Sequence, residues 1–340
     1  MSLNKTLSIH TSPHIVKGIS TDVIMRNVVW ALIPISAFSV YAFGISALLV
    51  LVTAVVSSVL AEHLFCKITN TETTISDWSA TITGLLFGLT LPPNFPLWMV
   101  FSGGFIAIGL GKFIFGGLGY NVFNPALVGR AVLQAAFPVA ITTWYPAFTA
   151  DRFTTLSSST FTFPFATPVY DTVSGATPLS AFKFDKIAAD SMDLVMGLTS
   201  GSIGETSAIL ILLGGLYLIY RNMMNWRIPV SMLGSVFIIS GLLHLFNDQL
   251  YASPLFMLFS GGLMLGAVFM ATDMVASPIT PLGCWVYGAI IGTLIIVIRT
   301  WGGLPEGVMY AILLGNAISP HIDNLIRPRV YGTGKNRGQA

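Results

Sequence analysis

Ten apolar stretches fill most of the chain, and each is close to the length that a membrane-spanning helix needs. They lie at about 24–42, 45–64, 79–91, 97–115, 121–138, 206–220, 229–246, 254–271, 282–298 and 306–323. Crossing the hydrocarbon core takes about 20 apolar residues of helix, and lipid admits only helices or closed barrels. The chain is 54% hydrophobic and 9% charged, where a soluble domain carries roughly 25% charged residues. We therefore predict an all-α integral membrane protein with about ten transmembrane helices.

The first twenty residues are polar and lack the apolar core of a signal peptide. We therefore expect the first span to act as the insertion signal. The net charge of +2 gives no case for a nucleic-acid partner.

The distribution of Lys and Arg predicts the orientation, since cytoplasmic loops carry an excess of both. With a cytoplasmic N-terminus, eleven such residues lie inside and four outside. The inside set is Lys5, Lys17, Arg26, Lys67, Lys112, Arg221, Arg227, Arg327, Arg329, Lys335 and Arg337; the outside set is Arg152, Lys183, Lys186 and Arg299. Both termini are then cytoplasmic, and the long polar loop at 139–205 is extracytoplasmic.

An internal repeat suggests how the spans are organised. Gly116-Gly117-Leu118 recurs as Gly302-Gly303-Leu304. The same alignment pairs Val122, Leu127, Gly129 and Ala131 with Val308, Leu313, Gly315 and Ala317. Two five-helix halves would be inverted relative to each other, with sites near their interface where helices break. The candidate breaks are Pro92-Pro93, Asn124-Pro125, Pro278, Pro281 and Pro320.

This organisation divides the chain into four parts. They are an N-terminal membrane repeat at 1–138, the extracytoplasmic loop at 139–205, a C-terminal membrane repeat at 206–326 and a cytoplasmic tail at 327–340.

Ionisable residues within or beside spans are functional candidates, because charge at membrane depth is costly. Asp273 lies at the inner end of the eighth span, beside the proline-rich segment 277–281. It is either a cation or proton site or a carboxylate reaching the interface. Asp77 opens the short third span, where a helix N-terminal role is the stronger interpretation.

Arg130 lies inside the fifth span and must pair or face a cavity. Its guanidinium could hold a phosphate or carboxylate, or form a structural ion pair. Asn121 and Asn124 could hydrogen-bond in the same cavity, and Arg299 and Glu306 could pair at the outer edge.

The remaining signals point away from metal and nucleotide chemistry. Two cysteines, Cys66 and Cys284, are too few for a zinc site or a four-thiolate cluster. They could contribute to a cluster shared with a partner, but two buried thiols are the simpler interpretation. We read Gly103-Gly104 and Gly116-Gly117 as close helix packing rather than nucleotide binding.

The polar loop contains the segment 174–179, in which small residues lead to Thr177 and a proline follows. Pro178 biases Thr177 toward an extended conformation. We expect this loop to hold the threonine hydroxyl in the open, accessible to a modifying enzyme.

Three segments together resemble a known family. Asp171 to Thr177 is similar to the flavinylation motif of bacterial redox pumps, and 116–126 and 269–273 carry further matching motifs. Over nearly its whole length the chain resembles the RnfD/NqrB family. This family comprises the D component of the Rnf ion-translocating ferredoxin:NAD oxidoreductase and the B component of the sodium-translocating NADH:quinone reductase.

The resemblance implies a covalent cofactor. It implies FMN esterified through its phosphate to Thr177, attached by a flavin transferase that uses FAD. The flavinylation motif would comprise Asp171, Ser174, Gly175, Ala176, Pro178 and Leu179. The nearby Phe161, Phe163, Phe165 and Tyr170 could stack on the isoalloxazine ring or pack the loop.

The resemblance also implies a second, noncovalent flavin, riboflavin or FMN, nearer the cytoplasm, for which Arg130, Asn121 and Asn124 are candidates.

The A, B, C, E and G components of the Rnf complex would be the partners, and some of them would supply iron–sulfur centres. The expected function is electron relay between ferredoxin and NAD, coupled to Na⁺ or H⁺ movement through Asp273 or Asp77. Two rival interpretations are a transporter or channel without a redox group and a purely structural component.

Overall fold

The computed structural model describes residues 20–71, 73–166, 176–205 and 207–327. Within these residues every regular element is a helix. The α-helices are α1 (Thr21–Phe43), α2 (Ile45–Thr69), α3 (Ser79–Leu89), α4 (Leu97–Ile108), α5 (Pro125–Ala136), α6 (Pro138–Thr142), α7 (Pro178–Ser180), α8 (Ser191–Met196), α9 (Ala208–Tyr220), α10 (Arg227–Phe246), α11 (Pro254–Phe259), α12 (Leu263–Leu265), α13 (Pro281–Trp301) and α14 (Val308–Leu325). Short π-helical segments follow α4, α7 and α12, and a 3₁₀ turn (Ile75–Asp77) precedes α3.

Each of the ten apolar stretches coincides with helix. Four helices, α1, α2, α10 and α13, are long and apolar enough to cross a membrane, and 79–89, 97–113 and 208–220 form shorter apolar helices. The stretch at 254–271 is broken into α11, α12 and a π-helical segment by a turn at Ser260–Gly262. The outward faces of the long helices expose large apolar side chains, among them Trp30, Val56 and Ile238. A face of this kind suits contact with lipid.

The core forms where the helices pack on one another. Helix α2 packs on α3 and α4, α4 packs on α5, and α10 packs on α13. Leu32, Phe87, Phe256 and Tyr287 are among its fully buried side chains.

Glycine permits the closest helix approaches. A Cβ at Gly84 would lie 2.6 Å from the Cα of Val55, and one at Gly288 would lie 2.7 Å from the carbonyl oxygen of Ile228. A side chain at either position would push the helices apart. Gly103 is packed in the same way, between Phe87 and Leu133.

Two sequence-based expectations about helix interruption and packing are wrong. Helix α14 runs through Pro320 without ending. Gly116 and Gly117 form a turn instead of a packing surface: their φ angles are +109° and +100°, and nothing lies within 4 Å of a Cβ placed at Gly117. Glycine adopts these positive φ angles at little steric cost.

Both cysteines are free thiols and buried, as predicted.

Candidate functional site

Four helices begin with the same local device, a polar capping residue followed by proline. The side chains of Asn124, Thr177, Ser253 and Thr280 each accept a hydrogen bond from a backbone N–H in the first turn of α5, α7, α11 and α13. Proline follows each cap at the first helical position. The cap satisfies a free N–H group, and proline has none to satisfy. The Thr177–Pro178 pair of the predicted flavinylation motif is therefore also a helix start.

This capping role changes the expected environment of Thr177. Its Oγ1 accepts a hydrogen bond from the Ser180 N–H at 3.2 Å, and the residue is only 7% exposed. Leu179 is buried against the turn at Gly261, and the Ala176 carbonyl accepts a 2.6 Å bond from Ser200. Thr177 is therefore buried and its hydroxyl is hydrogen-bonded to the backbone of α7. The expectation of an open, solvent-facing hydroxyl is wrong.

Thr177 instead lies in the wall of a cavity of about 500 Å³. We call this the Thr177 cavity. Its lining residues are Arg130, Gln134, Ile141, Thr142, Thr143, Trp144, Ala176, Thr177, Ser180, Phe184, Leu304, Pro305, Glu306 and Met309. Its volume falls within the range of roughly 300–1,000 Å³ that ligand sites occupy.

Several other residues of the predicted loop site lie elsewhere. Phe161, Phe163 and Phe165 are exposed on the loop and do not line the Thr177 cavity. Phe165 contacts Trp98, with 5.5 Å between ring centroids. The predicted positions Asp171, Ser174 and Gly175, together with Tyr170, lie outside the described residues.

Arg130 belongs to the Thr177 cavity. It projects from α5, is 8% exposed, and its Nη1 donates a 2.6 Å hydrogen bond to the Thr90 carbonyl at the end of α3. Its buried Nε has no hydrogen-bond partner among the residues that the structure describes. One edge of the guanidinium is thus fixed to the protein.

Three further charged residues surround this part of the cavity. Glu306 Oε1 accepts a 2.9 Å hydrogen bond from the Gly262 N–H and lies 3.5 Å from Arg299 Nη2, so these two residues pair as predicted. Glu205 accepts a 2.9 Å hydrogen bond from the Ser202 hydroxyl. Burial, followed by the adjacent Glu306 carboxylate, raises the pKa of Glu205 to about 8, although Arg130 opposes the shift.

A second cavity, of about 120 Å³, brings together Asn121, Asn124 and Asp273. We call it the Asn121 cavity. Asn121 Nδ2 lies 3.4 Å from Asp273 Oδ2, and Asn124 Nδ2 donates to the Met270 carbonyl at 3.2 Å. Asp273 Oδ1 also accepts a 3.1 Å bond from the Val275 N–H. The three candidates for second-flavin binding are therefore divided: both asparagines lie here, and Arg130 lies in the Thr177 cavity.

A buried ion pair borders the Asn121 cavity and was missed from the sequence. Lys112 Nζ lies 2.7 Å from Glu62 Oε1 and 2.6 Å from Ser79 Oγ, and Lys112 and Ser79 both line the cavity. Glu62 is 1% exposed and Lys112 is 3% exposed. One signal for this ion pair was present in the sequence: Glu62 is an acidic residue inside the apolar stretch at 45–64.

Asp77 is tied to this network through Ser79. Its Oδ1 accepts bonds from the Ser79 N–H at 2.8 Å and the Ser79 hydroxyl at 2.6 Å, at the start of α3. It therefore has the helix N-terminal position that was the stronger interpretation. Asp77 does not line the cavity that contains Asp273.

Helix α5 links the two cavities. Asn124 caps its first turn in the Asn121 cavity, and Arg130 lies in the Thr177 cavity. Six residues of α-helix rise about 9 Å along the axis.

Comparison with known proteins identifies the family. Residues 8–332 match the family described as "NQR2, RnfD, RnfE family". The chain is 42% identical to the D component of the "proton-translocating ferredoxin:NAD(+) oxidoreductase complex" of Clostridium ljungdahlii, covering 96% of each chain. It is 39% identical to the D component of the "Na(+)-translocating ferredoxin:NAD(+) oxidoreductase complex" of Acetobacterium woodii, covering 98% of each. It is 38% identical to the D component of the "ion-translocating oxidoreductase complex" of Aliivibrio salmonicida, covering 96% of this chain and 99% of the relative. The chain therefore belongs to the NQR2, RnfD, RnfE family.

Proposed function

We propose that the chain is the D component of a membrane-bound ferredoxin:NAD⁺ oxidoreductase that translocates ions, and that it carries FMN as a phosphoester on Thr177. The names of the relatives support the complex. The observation that carries the cofactor assignment is the position of Thr177 in the wall of a 500 Å³ cavity that also contains Arg130.

The residues of the Thr177 cavity fit such a group. The Thr177 hydroxyl is the point of attachment, and the guanidinium of Arg130, which lines the cavity, is a charge-assisted donor suited to phosphate. Trp144, Phe184 and Met309 give the cavity apolar surface of the kind that a flavin ring contacts. When bound, FMN supplies a centre that accepts and donates electrons. A separate flavin transferase attaches it.

The Asn121 cavity is our proposed site for a second, noncovalent flavin, riboflavin or FMN. The side-chain amides of Asn121 and Asn124 can hydrogen-bond the polar edge of a flavin ring. The cavity volume of 120 Å³ is below the roughly 300 Å³ typical of ligand sites. Three methionines, Met25, Met223 and Met224, line it, and their flexible side chains can move to admit a larger group.

We propose that electrons pass between the two cavities, which α5 and its neighbour α3 connect. The A, B, C, E and G components of the complex complete the path, some through their iron–sulfur centres, to the ferredoxin and NAD⁺ sites. Asp273 is the first proposed ion-coupling residue, and Asp77 is the second. The relatives include one named for protons and one named for Na⁺, so the comparison favours neither ion.

The proposed architecture is two inverted five-helix repeats, with the loop and Thr177 outside the cytoplasm. The packing supports the repeat, since α2 packs on α3 and α4 much as α10 packs on α11 and α13.

The substitution Thr172→Cys tests the orientation of the loop, because the native thiols are buried and would not react. We expect the new thiol to react with a membrane-impermeant reagent in intact cells; reaction only after permeabilisation would overturn the placement.

In-gel fluorescence of the denatured protein, expressed with a flavin transferase, tests the cofactor. Thr177→Asn retains an oxygen to cap α7 but has no hydroxyl, whereas Thr177→Ser retains both functions. We expect fluorescence in the wild type and in Thr177→Ser, and none in Thr177→Asn. A dark wild-type band beside an active transferase would overturn the covalent assignment.

The two rival functions predict different results. A transporter without a redox group would leave the purified protein colourless. A purely structural component would leave the electron-transfer activity of the assembled complex unchanged in Thr177→Asn.

A further inference from the structure

Three phenylalanines of the loop at 139–205 expose large apolar rings. Phe161, Phe163 and Phe165 are 64%, 82% and 92% exposed, and they are not among the described residues that line the Thr177 cavity or the Asn121 cavity. They alternate along the segment 161–165, which we call the Phe163 segment. Phe165 has a φ of +64°, a left-handed conformation that bulky residues rarely adopt. Rings held open in this way point to a contact outside the chain.

The Phe163 segment is fastened to the end of an apolar helix. The Leu97 N–H, at the first residue of α4, donates to the Thr160 carbonyl at 3.1 Å. The Ser159 hydroxyl donates at 2.8 Å to the carbonyl of Asn94, in the turn between α3 and α4. The segment is therefore level with the end of the apolar helix 97–113. Such an end lies near the boundary between the hydrocarbon and the headgroups.

A row of aromatic rings continues from the segment along α4. The ring centroids of Phe165 and Trp98 are 5.5 Å apart, and those of Trp98 and Phe137 are 5.4 Å apart. Phe101 follows Trp98 by three residues and therefore lies on the same face of α4. Its ring is 5.0 Å from that of Phe105. The Phe163 segment thus extends an aromatic face of α4, and tryptophan is enriched where such faces meet the membrane surface.

The backbone of the segment suits a poorly hydrated boundary. The Thr162 N–H donates to the Ser159 carbonyl at 3.2 Å. The Ala166 N–H donates to the Phe163 carbonyl at 3.1 Å, and Pro164 has no N–H to satisfy. Irregular backbone is excluded from lipid-exposed hydrocarbon itself. The backbone would therefore lie among the headgroups, with the rings directed toward the acyl chains.

The charge of the surrounding chain favours lipid over a protein partner. No charged residue occurs between Arg152 and Asp171. Charged groups beside an apolar patch steer protein partners and fix their register, and this stretch has none. Bringing charge toward hydrocarbon is costly, so an uncharged stretch around three open rings fits a lipid surface.

We propose that the Phe163 segment is a membrane anchor, with the rings of Phe161, Phe163 and Phe165 inserted among the acyl chains of the extracytoplasmic leaflet. The anchor holds the loop against the membrane on the N-terminal side of Thr177. The choice of leaflet rests on the proposed orientation. The lipid contact itself does not, and it is independent of the proposed flavin.

Quenching of a fluorophore by lipid tests the contact. The full chain carrying Phe163→Cys is labelled with an environment-sensitive fluorophore and placed in phosphatidylcholine vesicles that contain spin-labelled acyl chains. The native cysteines are buried and stay unlabelled. Ile238→Cys, on the exposed face of α10, is the lipid reference. Asp190→Cys is the water reference, because Asp190 is an exposed carboxylate that caps the short helix α8.

We expect the fluorescence at Phe163→Cys to fall as spin-labelled lipid is added, as it does at Ile238→Cys, and to stay constant at Asp190→Cys. Fluorescence at Phe163→Cys that matches the water reference would place the segment in solvent and overturn the anchor. A blue-shifted emission that the lipid does not quench would show that protein covers the segment, and this result would equally overturn it.

Photo-crosslinking in cells extends the test to the assembled complex. The photoreactive residue p-benzoylphenylalanine replaces Phe163 and, in separate reference variants, the exposed Val56 or Ile238. Mass spectrometry then identifies what each position has captured. We expect phospholipid at position 163. Capture of another component of the complex there, or no adduct there while either reference captures lipid, would refute the anchor and leave the proposed flavin function untouched.

Discussion

Asn121 and Asp273 lie 152 positions apart in the sequence, and their side chains meet in one cavity with 3.4 Å between Asn121 Nδ2 and Asp273 Oδ2. The contact joins the turn before α5 to the segment after α12, so each proposed repeat supplies one partner. A carboxylate of proposed ion-coupling function is thereby placed in direct contact with an amide of the proposed flavin site. The Asn121 amide therefore contacts the one group of this pair whose charge can change, the Asp273 carboxylate.

Asp273→Asn should leave covalent flavin content normal and lower ion-coupled turnover by roughly tenfold or more, the scale of losing one charged hydrogen-bond partner. Asparagine can still accept from the Val275 N–H but carries no charge. Ion uptake by membrane vesicles during electron transfer measures the effect. Asp248→Asn, at an exposed carboxylate, is the control and should transport normally. Unchanged transport in Asp273→Asn would remove this residue from the mechanism.

Asn124 makes two hydrogen bonds that substitutions can separate: its Oδ1 caps α5, and its Nδ2 donates to the Met270 carbonyl. Asn124→Ala removes the α5 cap and should destabilise the protein by about 1 kcal/mol. Asn124→Ser retains a capping oxygen but cannot reach the Met270 carbonyl. We expect both variants to lose noncovalent flavin and only Asn124→Ala to show the additional loss in thermal stability. Acid-extracted flavin and the Tm in detergent provide the measurements. Full noncovalent flavin in both variants would count against the Asn121 cavity as the second site.

Lys112→Met should destabilise the protein by about 3–5 kcal/mol, because it leaves the Glu62 carboxylate buried without its cation. The double variant Glu62→Met with Lys112→Met should recover most of that loss, since it removes both charges from the core. Thermal unfolding of the two variants in detergent makes the comparison. Equal stability of the single and double variants would show that the unpaired charge is not the cause.

The pH dependence of stability should report Glu205. Its pKa is raised from 4.5 to about 8 in the folded chain, so the folded state binds this proton more tightly than the unfolded state. The resulting stabilisation is complete below about pH 4.5 and is lost as the pH rises through about 8. Glu205→Gln should flatten the Tm profile across that window, while Asp190→Asn should follow the wild type. A wild-type Tm that does not change across the window would contradict the raised pKa.

Local chemistry made much of this fold predictable. Each of the ten apolar stretches contains helix, because a buried or lipid-facing backbone must satisfy its own hydrogen bonds, although a turn divides the stretch at 254–271. The candidate breaks at Asn124-Pro125 and Pro281 are helix starts, whereas the helix start after Thr177 was not predicted. The tenth stretch, 306–323, extends past Pro320 as α14 does, but the candidate break at Pro320 was wrong, since neighbouring helices can compensate for a proline in a membrane helix.

The sequence by itself determined the helical class, the family and the chemical identity of the site residues, because apolar length and short motifs are read within a few residues. Only the tertiary structure decided which of those residues share a cavity. It placed Arg130 with Thr177 and separated it from Asn124, since six residues of helix carry a side chain about 9 Å along the axis. It also brought Glu62 to Lys112. Such contacts depend on how closely the helices approach at glycine, and that distance is a property of the packed molecule.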